Sequence, residues 1–312
     1  MNKKSLQAIR EVYEKGGNII QHLKQNSHDL NTLEMILISY DFQSGNYVHQ
    51  VEKDPEYNQL YTSAIARVIT RLGVRYRSIL EVGVGEATTL ANVIEKLPQT
   101  PQQIFGFDIS WSRIKYAIEY LQMKHLEHAV VFTGDFFNAP LADSSIDIVY
   151  TSHSIEPSGG REKEALLELM RITNKYLILL EPAYELANKS AQKRMEDHGY
   201  VKNLYKTAIE LNLKVVEHRL FGVTGNPLNP TGLMVIKKNS QKHKQVLNPL
   251  VCPITKTPLR LLKGSYFSDE SLLAYPIIDQ VPCLISDNAV IATHYGKQVK
   301  LSNLSNTADT KQ

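Results

Sequence analysis

Residues 78–90 read SILEVGVGEATTL: an apolar run that ends in Glu81, a turn that holds Gly83 and Gly85, and the start of a helix near Ala87. Glycines let the backbone pass close to a ligand, and a helix N-terminus presents free amide groups. The third glycine of the dinucleotide fingerprint is missing, so the segment departs from a pyrophosphate-binding turn. The strand–turn–helix order predicts a ligand crevice at the end of this strand.

The chain on the C-terminal side of this segment continues the strand–helix pattern. Helices at about residues 87–97, 111–126 and 161–173 separate the apolar runs SILEVGV, QIFGFDI, AVVFTGD, IDIVYTS and YLILLEP. Two further runs, KVVEHRLF and GLMVIKK, follow with no clear helix between them and predict an antiparallel end to the sheet. The pattern predicts an α/β fold with a mostly parallel seven-stranded sheet and helices on both faces.

Acidic residues end the second and third predicted strands as well as the first. Asp108 ends the second strand, where a ribose diol is held in open α/β sheets. Asp135 ends the third, where a carboxylate can accept from an adenine amino group, and Phe136 follows with a backbone amide. Each acid has another interpretation: Glu81 as a solvated strand end, Asp108 as a helix cap near Ser110 and Asp135 as a turn. The three together, in order, favour a nucleotide site.

The segments ILEVGVGEA, FDIS and GDFF resemble the first three motifs of class I S-adenosylmethionine (SAM)-dependent methyltransferases over roughly residues 60–238. The resemblance implies a Rossmann-like fold, SAM as cofactor and S-adenosylhomocysteine (SAH) as product. It also implies the parts of the cofactor that each residue contacts: the methionine and ribose portion for Glu81, Gly83 and Gly85, the ribose hydroxyls for Asp108, and the adenine for Ile109, Asp135 and Phe136. Trp111 is a further candidate for the adenine face, although core packing explains it equally well.

The segment after the fourth strand carries the candidate catalytic residues. In the family that the sequence resembles, the methyl acceptor lies beyond this strand, which places Ser152, His153 and Glu156 at the mouth of the site. His153 is the first candidate for a general base because its ordinary pKa lies near neutrality, and Glu156 is the second. The alternative for His153 is a role in ordering the loop. Glu181, at the end of YLILLEP, either binds substrate or caps the segment that follows it.

Residues 1–60 have helical spacing and predict an N-terminal helical cap or lid. Its segment ISYDFQSGNYV holds Tyr40 and Tyr47 around a glycine, and it resembles the lids of small-molecule methyltransferases. That resemblance implies contact of the two tyrosines with the cofactor or the acceptor pocket, whereas ordinary aromatic packing is the alternative. The segment GNPLNPTG, residues 225–232, predicts a rigid turn near the substrate.

The chain after the predicted cofactor domain, residues 61–238, divides into three parts. Residues 239–248 predict a linker, residues 249–290 a small α+β domain and residues 291–312 a loose tail. The small domain resembles the zinc-ribbon-like proteins that bind and activate several methyltransferases. Its four zinc-ligand positions are as follows: Cys252, Thr255, Ser268 and Ser271. One thiol of four predicts no zinc, and the small size predicts docking onto the larger domain.

The composition is that of a globular protein, with 43% hydrophobic residues and a net charge of +3 in 312 residues. The two cysteines are too few for a disulfide framework, and the charged first residues lack the apolar core of a signal peptide. The apolar runs are too short to span a bilayer. Together these features predict a cytoplasmic protein with no membrane partner. The near-neutral charge does not favour a nucleic-acid partner, and a homodimer is compatible with the sequence. We expect methyl transfer to oxygen or nitrogen of a small molecule, glycan or sugar nucleotide. The alternatives are a protein or tRNA methyltransferase and a non-catalytic SAM-binding scaffold.

Overall fold

A central β-sheet organises the molecule, whose computed structural model describes residues 6–24, 31–239 and 246–296. The seven strands of this sheet are β1 (Ser78–Val82), β2 (Gln103–Asp108), β3 (Val130–Thr133), β4 (Ile146–Ser152), β5 (Thr173–Pro182), β6 (Lys214–Leu220) and β7 (Thr231–Lys237). The helices are α1 (Leu6–Glu14), α2 (Ile19–Lys24), α3 (Leu33–Phe42), α4 (Asn46–Lys53), α5 (Pro55–Arg71), α6 (Thr88–Lys96), α7 (Trp111–Met123), α8 (Glu162–Ile172), α9 (Lys189–Asp197) and α10 (Leu204–Glu210).

The strands of the central sheet lie in the order β3-β2-β1-β4-β5-β7-β6. The first five are parallel to one another, whereas β7 pairs antiparallel with both β5 and β6. All five residues of β1 are buried, as expected for a central parallel strand covered on both faces. The mostly parallel seven-stranded sheet and its antiparallel end are therefore confirmed.

Two hydrophobic clusters lie on opposite faces of the sheet. One joins α5, α6 and α7 to alternate strand residues such as Ile79 and Ile148. The other joins α8 and α10 to the neighbouring positions Leu80 and Val149. Since successive side chains of a strand point to opposite faces, this division follows directly from the apolar runs. Helices on both faces are confirmed.

The described N-terminal residues form a cap of four helices, α1 to α4, followed by the longer α5. Ile9, Ile19 and Ile38 form a small apolar cluster of their own among α1, α2 and α3. Asp54 is the N-cap of α5, and Pro55 occupies its first turn, where a missing N–H costs nothing. The helix then runs to Arg71, so the predicted domain boundary at residue 60 falls inside it.

The C-terminal unit, residues 246–296, forms a second small sheet with strands β8 (Arg260–Leu262), β9 (Ser265–Phe267), β10 (Leu273–Ile278), β11 (Val281–Pro282) and β12 (Val290–Ile291). The predicted domain, residues 249–290, contains the short 3₁₀ helix Ser286–Asn288 but no α-helix, so it is a β-structure where the sequence analysis expects α+β. The apolar residues of this segment alternate over short stretches, as in strands, and do not recur at the spacing of three to four residues that marks one face of a helix. Of the predicted linker and tail, residues 240–245 and 297–312 lie outside the described residues.

The C-terminal unit packs against the β3 edge of the central sheet, as the sequence analysis expects. Cys283 forms a parallel bridge with Thr133, and the Leu284 amide donates to the Thr133 carbonyl at 3.1 Å. Lys115 on α7 pairs with Asp279 at 2.9 Å. The unit therefore covers backbone groups that an edge strand otherwise exposes.

Candidate functional site

A cavity of about 490 Å³ opens at the carboxyl ends of β1, β2 and β4, beneath the cap. Its volume is typical of ligand pockets in proteins. The further candidates Trp111 and Glu181 do not line this cavity, whereas twelve residues that the sequence analysis assigned to the site do: Tyr40, Tyr47, Glu81, Gly83, Gly85, Asp108, Ile109, Asp135, Phe136, Ser152, His153 and Glu156. The structure thus brings together residues from the cap, from four strand ends and from the loop after β4.

The turn after β1 is shaped by glycine. Gly83 has φ +69°, and a Cβ atom placed on it would lie 2.1 Å from the Cβ of Ser154. The amides of Gly83 and Val84 both donate to the carbonyl of Phe107, at 2.8 and 2.9 Å, and this fixes the turn against β2. The backbone therefore forms one wall of the cavity, in a conformation that a side chain at residue 83 would prevent.

Glu81 is a buried carboxyl group in the cavity wall, with only 2% of its surface exposed. The hydroxyl of Tyr150 donates to its Oε2 at 2.9 Å. Burial raises the pKa of Glu81 to about 8, against the effect of that hydrogen bond. A cationic ligand beside this carboxyl would favour its ionised form. The solvated strand-end interpretation of Glu81 is excluded by its burial.

Asp108 accepts two backbone hydrogen bonds in the structure. Its Oδ2 accepts from the Gly85 amide at 3.1 Å, and its Oδ1 accepts from the Ser110 amide at 2.9 Å. The side chain that caps α7 belongs to Ser110, whose Oγ accepts from the Arg113 amide at 3.1 Å. A carboxylate has about four acceptor positions, so Asp108 retains capacity for a ligand hydroxyl.

The third strand end supplies a carboxyl group and an aromatic pair. Asp135 accepts from the Phe137 amide at 2.9 Å, and burial raises the pKa of its carboxyl above the ordinary value. The rings of Phe136 and Phe137 lie 4.3 Å apart, and Phe136 lines the cavity. Trp111, in contrast, packs against the core cluster that involves α7. Its contacts therefore favour the core interpretation.

The loop after β4 holds His153 between two partners. His153 Nδ1 lies 2.6 Å from Glu156 Oε2, and its Nε2 lies 2.8 Å from Thr231 Oγ1. Burial opposes protonation of the ring, but the hydrogen bond and charge of Glu156 raise the pKa of His153 above its ordinary value. The same pairing lowers the pKa of Glu156, although burial opposes this. Asn229, from the predicted turn after β6, donates to Glu156 at 3.1 Å.

Glu181 lies behind this loop. Its Oε1 accepts from the Ser154 amide at 3.1 Å, and it is 2% exposed. Burial raises the pKa of Glu181 to about 7. It is not among the residues that line the cavity, so its contacts favour support of the loop after β4 over direct substrate contact.

Three cavity or cap residues are absent from the sequence-based assignment. Arg113 and Glu86 line the cavity, and both are buried. Glu86 accepts from the amides of Gly45 and Val48 at the start of α4, at 2.8 and 2.7 Å. In the opposite direction, the cap residue Asp41 binds the start of α7, a helix of the central domain. Its carboxylate accepts from the Ser110 hydroxyl at 2.6 Å. These hydrogen bonds hold the cap against the central domain. The sequence marks Glu86 by no more than its position as an acid inside a glycine-rich turn.

Two further properties bear on the type of site. Among residues 6–24, 31–239 and 246–296, no helix is both long and apolar enough to cross a membrane. In the same part of the chain, no three His, Cys, Asp or Glu side chains form a group that could hold a metal ion. The Cys252 thiol instead lies 3.2 Å from the Tyr275 hydroxyl and 3.5 Å from that of Ser271.

Comparison with known proteins finds one matching family and several similar solved structures. The family described as “Methyltransferase domain” matches residues 76–247, more than half of the chain. Similar solved structures include a SAM-dependent methyltransferase from Aquifex aeolicus, with 16% identity, TM-score 0.44 and coverage of 55% of this chain and 87% of that one. Magnesium protoporphyrin IX methyltransferase from Synechocystis, solved with bound SAH, has 10% identity, TM-score 0.47 and coverage of 75% and 99%.

A second similarity concerns a short segment. Over 56 residues the chain is 38% identical to a protein of Hydrogenovibrio crunogenus described as “UPF0434 protein”, which corresponds to 17% of this chain and 84% of that protein. The matched protein is therefore itself small.

Proposed function

Because the chain belongs to the methyltransferase-domain family, we propose that it moves a methyl group to an oxygen or nitrogen atom of a small molecule, glycan or sugar nucleotide. Its methyl donor is SAM, which when bound supplies an electrophilic methyl group on a sulfonium. The observation that carries this proposal is the convergence of the strand-end acids, the glycine turn and the cap on one cavity.

The residues of the cavity fit this cofactor. The glycine turn leaves space that a Cβ at Gly83 would remove, and the buried Glu81 suits the cationic end of the donor. We assign the ribose to Asp108, and the adenine to Asp135 with Ile109 and Phe136. Ordered hydrogen-bond acceptors in a buried pocket position a ligand without reorganisation, and such positioning contributes much of the rate of a displacement reaction.

His153 and Glu156 are proposed to handle the proton of the acceptor. Neutral His153 can accept a proton at Nε2 once the Thr231 hydroxyl turns away, while Glu156 stabilises the resulting imidazolium through Nδ1–H. A positioned base of this kind contributes roughly 10²–10⁴-fold where the nucleophile needs deprotonation. Since the pKa of His153 is raised, activity that depends on its neutral form increases with pH.

The acceptor class is inferred from the polar lining of the cavity. Tyr57, Asn58, Tyr61, Asn226 and Asn229 are uncharged polar side chains of that lining, which also includes the acid Asp54. Tyr61 is further tied to Ser152 at 2.9 Å. Uncharged donors and acceptors suit the hydroxyl groups of a glycan or another small polar molecule. The cap above the cavity favours an enclosed acceptor over a macromolecule.

The decisive experiment is transfer of a labelled methyl group from SAM into fractionated cell extract. The proposal expects label in the small-molecule or polysaccharide fraction. Label in protein or RNA would overturn the acceptor class, and tight SAM binding without any label would favour a scaffold. Asp108→Ala, assayed in parallel, should lose labelling because its affinity for SAM and SAH falls.

The C-terminal unit is proposed to support the cofactor site. The unit contacts the loop that follows Asp135. Lys256 donates to the side chain of Asn138 at 2.6 Å, and the Val251 amide donates to the Pro140 carbonyl at 3.0 Å. Lys256→Met should therefore weaken SAH binding in calorimetry without unfolding the central sheet, whereas unchanged affinity would leave the unit with a purely stabilising role.

A further inference from the structure

Arg113 is a buried cation in the wall of the proposed cofactor cavity. Only 5% of its surface is exposed, although it lies at the third position of α7. The guanidinium carbon lies 4.6 Å from the ring centroid of Tyr40 and 4.8 Å from that of Tyr47. Its Nε donates to the Tyr40 carbonyl at 3.1 Å. The side chain is therefore held between two tyrosines of the cap.

The position of Arg113 is unfavourable for stability alone. A cation in the first turn of a helix opposes the helix dipole, and burying it without a partner costs free energy. In the part of the chain that the structure describes, Arg113 forms no ion pair, and its Nη2 has no hydrogen-bond partner. Burial opposes its charge, yet Tyr47, Asp108 and Tyr40 hold the pKa of Arg113 above its ordinary value. A charged group with one unpartnered nitrogen thus lies in the cavity wall.

The neighbours of the guanidinium identify the atom that it can bind. Nη1 lies 3.6 Å from the position that a Cβ on Gly85 would take, and the Gly85 amide donates to Asp108. The Asp108 carboxylate attracts Arg113 electrostatically without a direct ion pair between them. A hydroxyl group can donate to a carboxylate and accept from a guanidinium at the same time. The space between the two residues therefore suits a ligand hydroxyl.

We propose that Arg113 is a cofactor-binding residue whose guanidinium donates to a ribose hydroxyl of SAM, while that hydroxyl donates to Asp108. This inference rests on the proposed function. Because Tyr40 and Tyr47 belong to the cap, a ribose that holds Arg113 in place also favours the cap position seen in the structure. Cofactor binding and cap closure then reinforce each other.

The test is calorimetry on the full chain with two probes, SAH and 5′-methylthioadenosine, which keeps the ribose and adenine but lacks the amino acid. Arg113→Met should lower the affinity for both probes by a similar factor, about 10- to 150-fold for one charge-assisted hydrogen bond. Arg113→Lys, which keeps the charge between the rings, should lose less. Arg67→Met, on the exposed face of α5, is the matched control.

The outcomes separate this inference from the proposed function. A loss for SAH but not for methylthioadenosine would place the contact at the amino-acid carboxylate and overturn the proposal. Equal binding by Arg113→Met and the unmodified chain would also overturn it. In a double-mutant cycle with Asp108→Asn, a shared hydroxyl predicts effects that do not add, and additive effects would contradict it. An unmodified chain that binds neither probe contradicts the proposed function itself, and this inference falls with it.

Discussion

Glu86 offers the sharpest test of how the cap is held over the cavity. It is 1% exposed, and its two carboxylate oxygens accept from the amides of Gly45 and Val48 at 2.8 and 2.7 Å. Gly45 is the N-cap of α4 and has no side chain to satisfy these amides, so a residue of the central domain performs the capping. Glu86→Gln keeps one acceptor but loses the other and the charge.

The loss of one charge-assisted hydrogen bond costs about 1.5–3 kcal/mol, which raises the equilibrium constant for opening of the cap about 10- to 150-fold. Hydrogen exchange measures this directly, since the amides of Gly45 and Val48 should exchange faster by that factor. Amides of the buried β1 should keep their protection. Glu119→Gln, the same substitution at an exposed position of α7, is the control. Unchanged exchange at both cap amides in Glu86→Gln would refute the role of Glu86 in holding the cap closed.

Three further perturbations test the site. Gly83→Ala should destabilise the fold by more than about 2 kcal/mol, because the new Cβ would meet Ser154 at 2.1 Å and the backbone has φ +69°; an unchanged melting temperature would contradict this. Glu81 has a folded pKa of about 8 against an ordinary 4.5, so the native state holds an extra proton between these values and stability falls as pH rises through them. Urea unfolding at pH 5, 6.5 and 8 should show that decline, and Glu81→Gln should make it shallower; an equally steep decline in the variant would exclude Glu81 as its source. His153→Ala should lower turnover more than SAH affinity, and full turnover on the acceptor would remove His153 from the proton transfer.

The central sheet was predictable because buried parallel strands are continuous apolar runs bounded by turns. β4 has the predicted limits, residues 146–152, whereas β5 begins at Thr173, three residues before its apolar run. Its first residue, Thr173, pairs with Ile146 of β4. Because this residue is polar, it gives no apolar pattern from which the start of the strand could be predicted. The helices α9 and α10 were not assigned, since α9 buries only Ala191 and Met195 and so lacks an apolar stripe.

The strand-end acids of the site were predictable because each follows an apolar run. Arg113 and Glu86 were not, since their burial depends on partners far away in the chain. Arg113 lies on the buried face of α7, in line with Ala117 and Tyr120, but its charge gives no apolar signal there, and it is covered by Tyr40, which is 73 residues away. Glu86 meets Gly45 across 41 residues. Pairing between polar groups at such separations leaves no periodicity in the sequence.

The contact between β3 and the C-terminal unit has a consequence during synthesis. The Thr133 side chain and its partner Pro282 are 149 residues apart, so the edge of β3 leaves the ribosome long before the segment that covers it. At about 5–20 residues per second, the edge waits roughly 7–30 s for its cover. The nascent sheet therefore passes through a stage in which β3 is open to strands of other chains. A stalled or truncated product keeps that open edge permanently, which makes the C-terminal unit a safeguard against self-association.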